Sequence, residues 1–328
     1  MVTGKITGTG SAIPPKRLTN DDLAKIVDTS DEWISTRTGI KARHITDSQT
    51  ATSDLAVEAA QKALETAGVN AGQIDLIIVA TSTPDYLNFP ATACVVQAKL
   101  EAVNAAAFDL SAACTGFVYA LTTANQYIKA GMYKNILVIG ADTLSKFVNW
   151  EDRNTCVLFG DGAGAVVLQP SESESGIIAS YLGADGKGGK FLCNPAGGSR
   201  KPIDQESLDL KQNCITMNGR EVFKFSTRVI IDGVKKVIEM AGLQLSDIDL
   251  LVPHQANTRI INHAVEKLGL SLEKVCVNIH NYGNTSAATI PIALDEAVHS
   301  NRLNRGDRVV TVGFGGGLTW GANVITWG

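Results

Sequence analysis

The stretch ALETAGVNAGQIDLIIVATST at residues 63–83 reads against VIEMAGLQLSDIDLLVPHQAN at 237–257, and this pairing decides the fold. Glu65, Ala67, Gly68, Ile74, Asp75 and Leu76 recur as Glu239, Ala241, Gly242, Ile248, Asp249 and Leu250, an offset of 174 in a chain of 328 residues. Each copy carries apolar residues at helical spacing and then a glycine where a left-handed helix cap is wanted. A short turn follows, then a continuous apolar run of the kind shown by a strand covered on both faces. A second pair keeps almost the same register: NILVIG at 135–140 matches RVVTVG at 308–313, with Gly140 and Gly313 173 residues apart. Repetition at half the chain length predicts two similar α/β halves, 1–173 and 174–328, related by a pseudo-twofold axis. In such a fold, strand ends and helix starts from equivalent places in the two halves converge on one cavity.

Composition narrows the function. A hydrophobic fraction of 45%, a charged fraction of 19% and a mean hydropathy of +0.07 describe a chain with ample apolar surface for a core. With 29 Lys and Arg against 33 Asp and Glu, the net charge of −4 has the wrong sign for a nucleic-acid binder. The six cysteines are too sparse for a disulfide scaffold and form no C-x-x-C pair of the zinc or redox kind. MVTGKITGTGSAIPP lacks the apolar core of a signal peptide, and no apolar run approaches a membrane span. These features lead to the expectation of a cytoplasmic protein with no metal, membrane or nucleic-acid partner.

Three strand-to-helix joints carry candidate chemistry. Cys114, in NAAAFDLSAACTGFVYALTTANQYIKAG, sits where a helix begins, a position expected to lower its pKa and favour the nucleophilic thiolate. His254 follows the apolar run Ile248 to Val252 and, by the repeat, replaces Ala80, so a polar group has been added at one copy of a duplicated joint. His280 is a second candidate. Asn284, in HNYGNTSAATIP, is expected to join a strand over Lys274–Ile279 to a helix, with Ala288 as the counterpart of Cys114; a helix cap or turn explains Asn284 equally well. The glycine run VGFGGGLTWG at 312–321 suits either a tight turn or a backbone N–H aimed at an oxyanion. FGDGAGAVVL at 159–168 lacks the third glycine and the following helix of a dinucleotide loop, and reads as a link between two apolar strands. The polar, glycine-rich stretch 183–213 reads as a surface loop at an entrance.

These residues resemble the thiolase-fold condensing enzymes, and within them the beta-ketoacyl-(acyl carrier protein) synthase III family. The matching segments are DTSDEWISTRTGI (28–40), DLSAACTGF (109–117), VPHQANTRI (252–260), NYGNTSAATIP (281–291) and FGGGLTWG (314–321). The resemblance implies a layered αβαβα core and a homodimer. It also implies decarboxylative condensation of a short acyl-CoA with malonyl-acyl carrier protein, with no cofactor beyond the coenzyme A thioester. Cys114 would carry the acyl group, His254 and Asn284 would be its catalytic partners, and the N–H groups of Cys114 and Gly316 would form the oxyanion hole. Related elongating synthases use two histidines, so Asn284 argues for the initiating type. Thr29, Trp33, Arg37, Arg153, Phe223 and Asn257 match the coenzyme A site, and Phe89 matches a residue that limits the acyl pocket of a partner subunit. Arg220, Lys224 and Arg228, at i, i+4 and i+8 of an expected helix, would dock the carrier protein with Arg259. One departure is Glu266 before Lys267, where the family often has a basic pair. Two rivals stand beside this reading. Plant-type polyketide synthases share the triad, and the 140 residues between Cys114 and His254 suit a papain-like hydrolase, whose C-G-S-C-W signature is absent.

Overall fold

The computed structural model describes residues 2–328. The principal strands, in chain order, are β1 (Thr3–Ala12), β2 (Leu76–Ala80), β3 (Ala106–Leu110), β4 (Ile136–Thr143) and β5 (Asp161–Ser171), then β6 (Gly176–Ala184), β7 (Leu250–Pro253), β8 (Arg308–Gly315) and β9 (Thr319–Thr326). The principal helices are α1 (Asp31–Thr38), α2 (Thr52–Ala67), α3 (Thr92–Lys99), α4 (Gly116–Lys129), α5 (Gly219–Met240), α6 (Thr258–Leu268) and α7 (Thr289–His299).

One sheet runs β1-β5-β4-β2-β3 and the other β6-β9-β8-β7. Strand for strand they correspond: β4-β2 and β8-β7 are parallel pairs, while β5-β4, β1-β5, β9-β8 and β6-β9 are antiparallel. Helices α4 and α7 lie between the sheets, α2 and α3 cover the outer face of the first sheet, and α5 and α6 cover the second. The protein is therefore a five-layered αβαβα sandwich of the thiolase kind.

This layering explains the apolar runs. In β2, Leu76, Ile78 and Ala80 face the central layer, where they join Phe117, Leu121 and Ile290, while Ile77 and Val79 face outward onto Ala59, Ala63 and Leu64 of α2. Both faces of the strand are covered, so no position can be polar. Each large side chain buried in this way contributes roughly 1.5–3 kcal/mol. Gly68 and Gly242 follow α2 and α5 with φ of +65° and +70°, the left-handed conformation their place in the repeat predicts.

The structure corrects several local expectations. Lys274–Ile279 is not a strand: a 3-10 turn at Leu272–Lys274 and a short helix at Ile279–Tyr282 leave only a bridge from Val275 to Leu251. The apolar run there is only three residues long, and Asn278 breaks it by hydrogen bonding to Glu296. The segment FGDGAGAVVL is largely strand β5 itself. Its glycines serve helix packing, since a Cβ at Gly164 would lie 2.7 Å from the Cβ of Pro291 on α7. Within 183–213 lie a 3-10 turn (Gly186–Phe191), a strand (Leu192–Cys193) that pairs with Thr216–Met217, and a short helix (Gln205–Asp209).

Candidate active site

Strand β3 ends at Leu110, Ala113–Thr115 makes a single 3-10 turn, and α4 starts at Gly116. Ala113 holds φ at +48°, a left-handed conformation that costs a residue with a side chain, and it turns Cys114 sharply off the strand. The matching joint in the second half is Ser286–Ala288, with Ser286 at φ +51°. The counterpart of Cys114 is thus Ala287 rather than Ala288, because the second half is one residue shorter between Leu250 and Ser286. Cys114 is buried at 7% exposure. The expected fall in its pKa does not occur. Burial pushes the thiol up to about 12, a hydrogen bond from Ser286 opposes the rise, and the buried Asp142 carboxylate adds to it. Loss of water around the thiolate outweighs the helix start.

His254 lies just past β7, with its N–H on the Val312 carbonyl at 2.8 Å. Its Nδ1 is 2.6 Å from Thr289 Oγ1, and its ring meets Phe314 edge-on at 5.1 Å. Burial drives its pKa down to about 3, so the imidazole is neutral at physiological pH. Asn284 accepts the Ser286 N–H at Oδ1 over 2.9 Å. This is a turn of the kind that by itself explains an asparagine here, and it uses only Oδ1, leaving the Nδ2 amide as a donor.

Cys114, His254 and Asn284 line the buried end of one cavity of about 490 Å³. Trp33, Arg37, Arg153, Phe223, Asn257, Arg220 and Arg259 line its outer part. The Arg37 and Arg153 guanidinium groups sit 4.5 Å and 5.1 Å from the centre of the Trp33 ring, and Arg259 sits 5.5 Å from that of Phe223. Asn257 has a structural task as well: it caps α6 through Arg259 N–H and donates to the Arg37 carbonyl. Thr29 is not among the lining residues, although its buried hydroxyl has no partner. Lys224 and Arg228 are exposed on α5 away from the cavity, and His280 is exposed as well.

A second cavity, of about 720 Å³, lies on the other side of Cys114 and includes Gly316, Ser286, Leu144, Phe147 and Ile203. The 183–213 stretch contributes Leu192, Asn194, Ala196, Ile203 and Asn213, among others, to its wall. The glycine motif is both a hairpin between β8 and β9 and a neighbour of the cysteine, for a Cβ on Gly315 would come 2.6 Å from Cys114 N. Phe89 is 83% exposed and lines neither cavity within the single chain.

Sequence reasoning missed Asp142, Thr289 and Phe314. Asp142 is fully buried and takes hydrogen bonds from Ser82 N–H, the Thr83 N–H and hydroxyl, and Ala287 N–H. It holds both elbows' surroundings together, and its pKa is raised by burial against those hydrogen bonds. Its one visible signal was a carboxylate next to the end of a strand that is apolar up to that point. Among the described residues no group of three or more His, Cys, Asp or Glu is placed to hold a metal, and no helix is long and apolar enough to cross a membrane.

Comparison with known proteins gives a consistent answer. The family description "3-Oxoacyl-[acyl-carrier-protein (ACP)] synthase III" matches residues 108–186, and its C-terminal counterpart matches 238–327. The beta-ketoacyl-[acyl-carrier-protein] synthase III of Caldanaerobacter subterraneus subsp. tengcongensis is 57% identical over 326 residues, covering 99% of this chain and 98% of that protein. The synthase III of Clostridium acetobutylicum is 56% identical over 323 residues, covering 98% of each. The crystal structure of the Aquifex aeolicus VF5 3-oxoacyl-[acyl-carrier-protein] synthase III superposes with a TM-score of 0.91 at 50% identity, covering 99% of this chain and all of that one. With its fold, its paired elbows and full-length identity above 50%, the chain belongs to the beta-ketoacyl-[acyl-carrier-protein] synthase III family of condensing enzymes.

Proposed function

We propose that Cys114 takes the acyl group of a short acyl-CoA and passes it to malonyl-acyl carrier protein, the initiating condensation of fatty acid synthesis. The reading is carried by one observation: Cys114, His254 and Asn284 share the buried end of a cavity whose outer wall holds Trp33 with two guanidinium groups close to its ring. A flat aromatic ring flanked by cations suits the nucleotide of coenzyme A, with Arg37, Arg153, Phe223 and Asn257 beside it and the free Thr29 hydroxyl close by in the chain. No cofactor beyond the thioester substrate is required.

Sγ of Cys114 attacks the thioester carbonyl, and the oxyanion rests on the N–H groups of Cys114 and Gly316. The proton lost by the thiol leaves on coenzyme A. The acyl chain lies in the second cavity, behind the cysteine. Malonyl-acyl carrier protein then loses carbon dioxide, and the enolate oxygen is held by Asn284 Nδ2 and His254 Nε2 until its carbon attacks the acyl-Cys114 carbonyl and expels the thiolate. Decarboxylation drives the step, so the site supplies position and hydrogen bonds.

The remaining assignments belong to the same reading. Residues 1–173 contribute the nucleophile and 174–328 contribute His254 and Asn284. Arg220, Lys224 and Arg228, on one face of α5, meet the carrier protein together with Arg259 at the cavity mouth. The enzyme works in the cytoplasm as a homodimer, in which Phe89 closes the partner's acyl cavity. The test separates the half-reactions: in His254→Ala and Asn284→Ala, acyl-enzyme formation stays measurable while condensation falls by orders of magnitude. Equal loss of both would contradict this division of labour.

A further inference from the structure

We infer that Gln255 is a positioning residue, whose buried amide stands in for a broken strand ladder and thereby sets the spacing of His254 and Asn284. Pro253 is what breaks the ladder. Leu251 bridges Val275 in parallel, and its carbonyl takes the Cys276 N–H at 2.9 Å. Two residues further on, the same pairing would set Pro253 opposite Val277, with an N–H of residue 253 on the Cys276 carbonyl and the Asn278 N–H on the Pro253 carbonyl. Proline has no N–H to give, so the pairing stops. In the first half the counterpart of Pro253 is Val79, and there the ladder runs on through Val79–Asp109 and Ala80–Leu110.

Gln255 is 1% exposed and fills the gap. Its Nε2 donates to the Pro253 carbonyl at 2.8 Å and to the Cys276 carbonyl at 3.0 Å. Its Oε1 accepts the N–H groups of Asn278 at 3.1 Å and Ile279 at 3.3 Å. These four bonds use the whole capacity of a primary amide, and they fix its orientation, because the reverse would set N–H against N–H. Three of the four partners, the carbonyls of Pro253 and Cys276 and the N–H of Asn278, are groups that the missing ladder would have satisfied. Direct pairing would hold the two segments ~4.8 Å apart. With an amide between them they splay beyond Leu251, and each leads to a residue of the cavity. His254 follows Pro253 directly, while Asn278 and Ile279 open the one-turn helix Ile279–Tyr282 that delivers Asn284 after Gly283. One satisfied side chain therefore spaces the two groups, and its catalytic consequence rests on the roles proposed for them in condensation.

The test uses the full-length protein and two variants. In Gln255→Ala the amide is lost; in Pro253→Ala/Gln255→Ala an N–H returns to residue 253 and the ladder can close. Amide hydrogen exchange, read by mass spectrometry, should become about tenfold or more faster over 275–284 in Gln255→Ala, with strand β4 unchanged. It should slow again in the double variant. In Gln255→Ala, kcat for condensation should fall about tenfold or more, with acyl-enzyme formation and KM for malonyl-acyl carrier protein within about threefold of wild type. Condensation should stay low in the double variant, where the segments are paired again but at strand spacing. If Gln255→Ala does not fold, the double variant carries the kinetic comparison. Unchanged exchange in Gln255→Ala, equal loss of both half-reactions, or condensation that recovers with exchange in the double variant would each overturn the inference. Failure of the underlying reading shows separately, as normal condensation in His254→Ala.

Discussion

Replacing Gly315 with alanine is a sharp test of how the two halves build the nucleophile. The added Cβ would lie 2.6 Å from Cys114 N, 3.1 Å from Ala113 Cβ and 3.2 Å from Cys114 Cα, where ordinary contact begins at 3.4 Å. Two of these neighbours are backbone, and the elbow already holds Ala113 at a positive φ, so no flexible side chain can absorb the shortfall of about 0.8 Å. Either the elbow or the β8-β9 hairpin moves, and the two carry the N–H groups of the proposed oxyanion site. A displacement approaching 1 Å in a positioned nucleophile costs about 10²-fold in rate. Overpacking adds roughly 1–3 kcal/mol of instability, seen as a melting point lower by a few degrees. Acyl-enzyme formation is followed by intact mass at saturating acyl-CoA, beside thermal unfolding. Gly72→Ala is the control, since nothing lies within 4 Å of its Cβ direction. Wild-type acylation in Gly315→Ala, with Gly72→Ala equally unaffected, would show that Gly315 does not support the cysteine.

Other outcomes follow from the same structure. His254 titrates at about 3 in the folded chain and near 6.5 unfolded, so between these values the unfolded chain binds the extra proton. Its burial costs nothing above pH 6.5 and lowers stability by up to about 1.4 kcal/mol per pH unit as pH falls towards 3. Denaturant titrations at pH 7 and 5 should show a smaller loss in His254→Gln than in the wild type, and equal losses would contradict the burial argument. Lys224→Glu, which lies off the cavity, should raise KM for malonyl-acyl carrier protein several-fold at low salt and spare acylation by acyl-CoA; an unchanged KM would leave α5 as ordinary solvated surface. Sedimentation should give a dimer, and a fully active stable monomer would remove Phe89 from the site.

What the sequence made legible was whatever repeats or follows from covered surfaces. The offset between Asp75 and Asp249 reveals two like sheets, and LIIVA can only be a strand with helices on both sides. Cys114 and His254 stand out because they break the repeat at strand-to-helix joints, whereas Asn284 stood out only through the family resemblance. The depth of the site was not legible. A helix start suggested a reactive thiolate at Cys114, yet the thiol's pKa depends on how much water the second half excludes, a tertiary quantity. Lys274–Ile279 read as a strand because its apolar centre looks like one, while Asn278 and its bond to Glu296 decide otherwise. Thr289 and Asp142 gave little or no signal, since their work is done through His254 and Ala287, which are distant in the chain.

The most direct measurement is the mass of the protein after incubation with a short acyl-CoA. The chain should gain a single acyl group, the modified peptide should contain Cys114, and Cys114→Ala should gain none. A shift that survives in Cys114→Ala, or that maps to Cys94 or Cys156, would contradict the assignment of Cys114 as the residue that carries the acyl group.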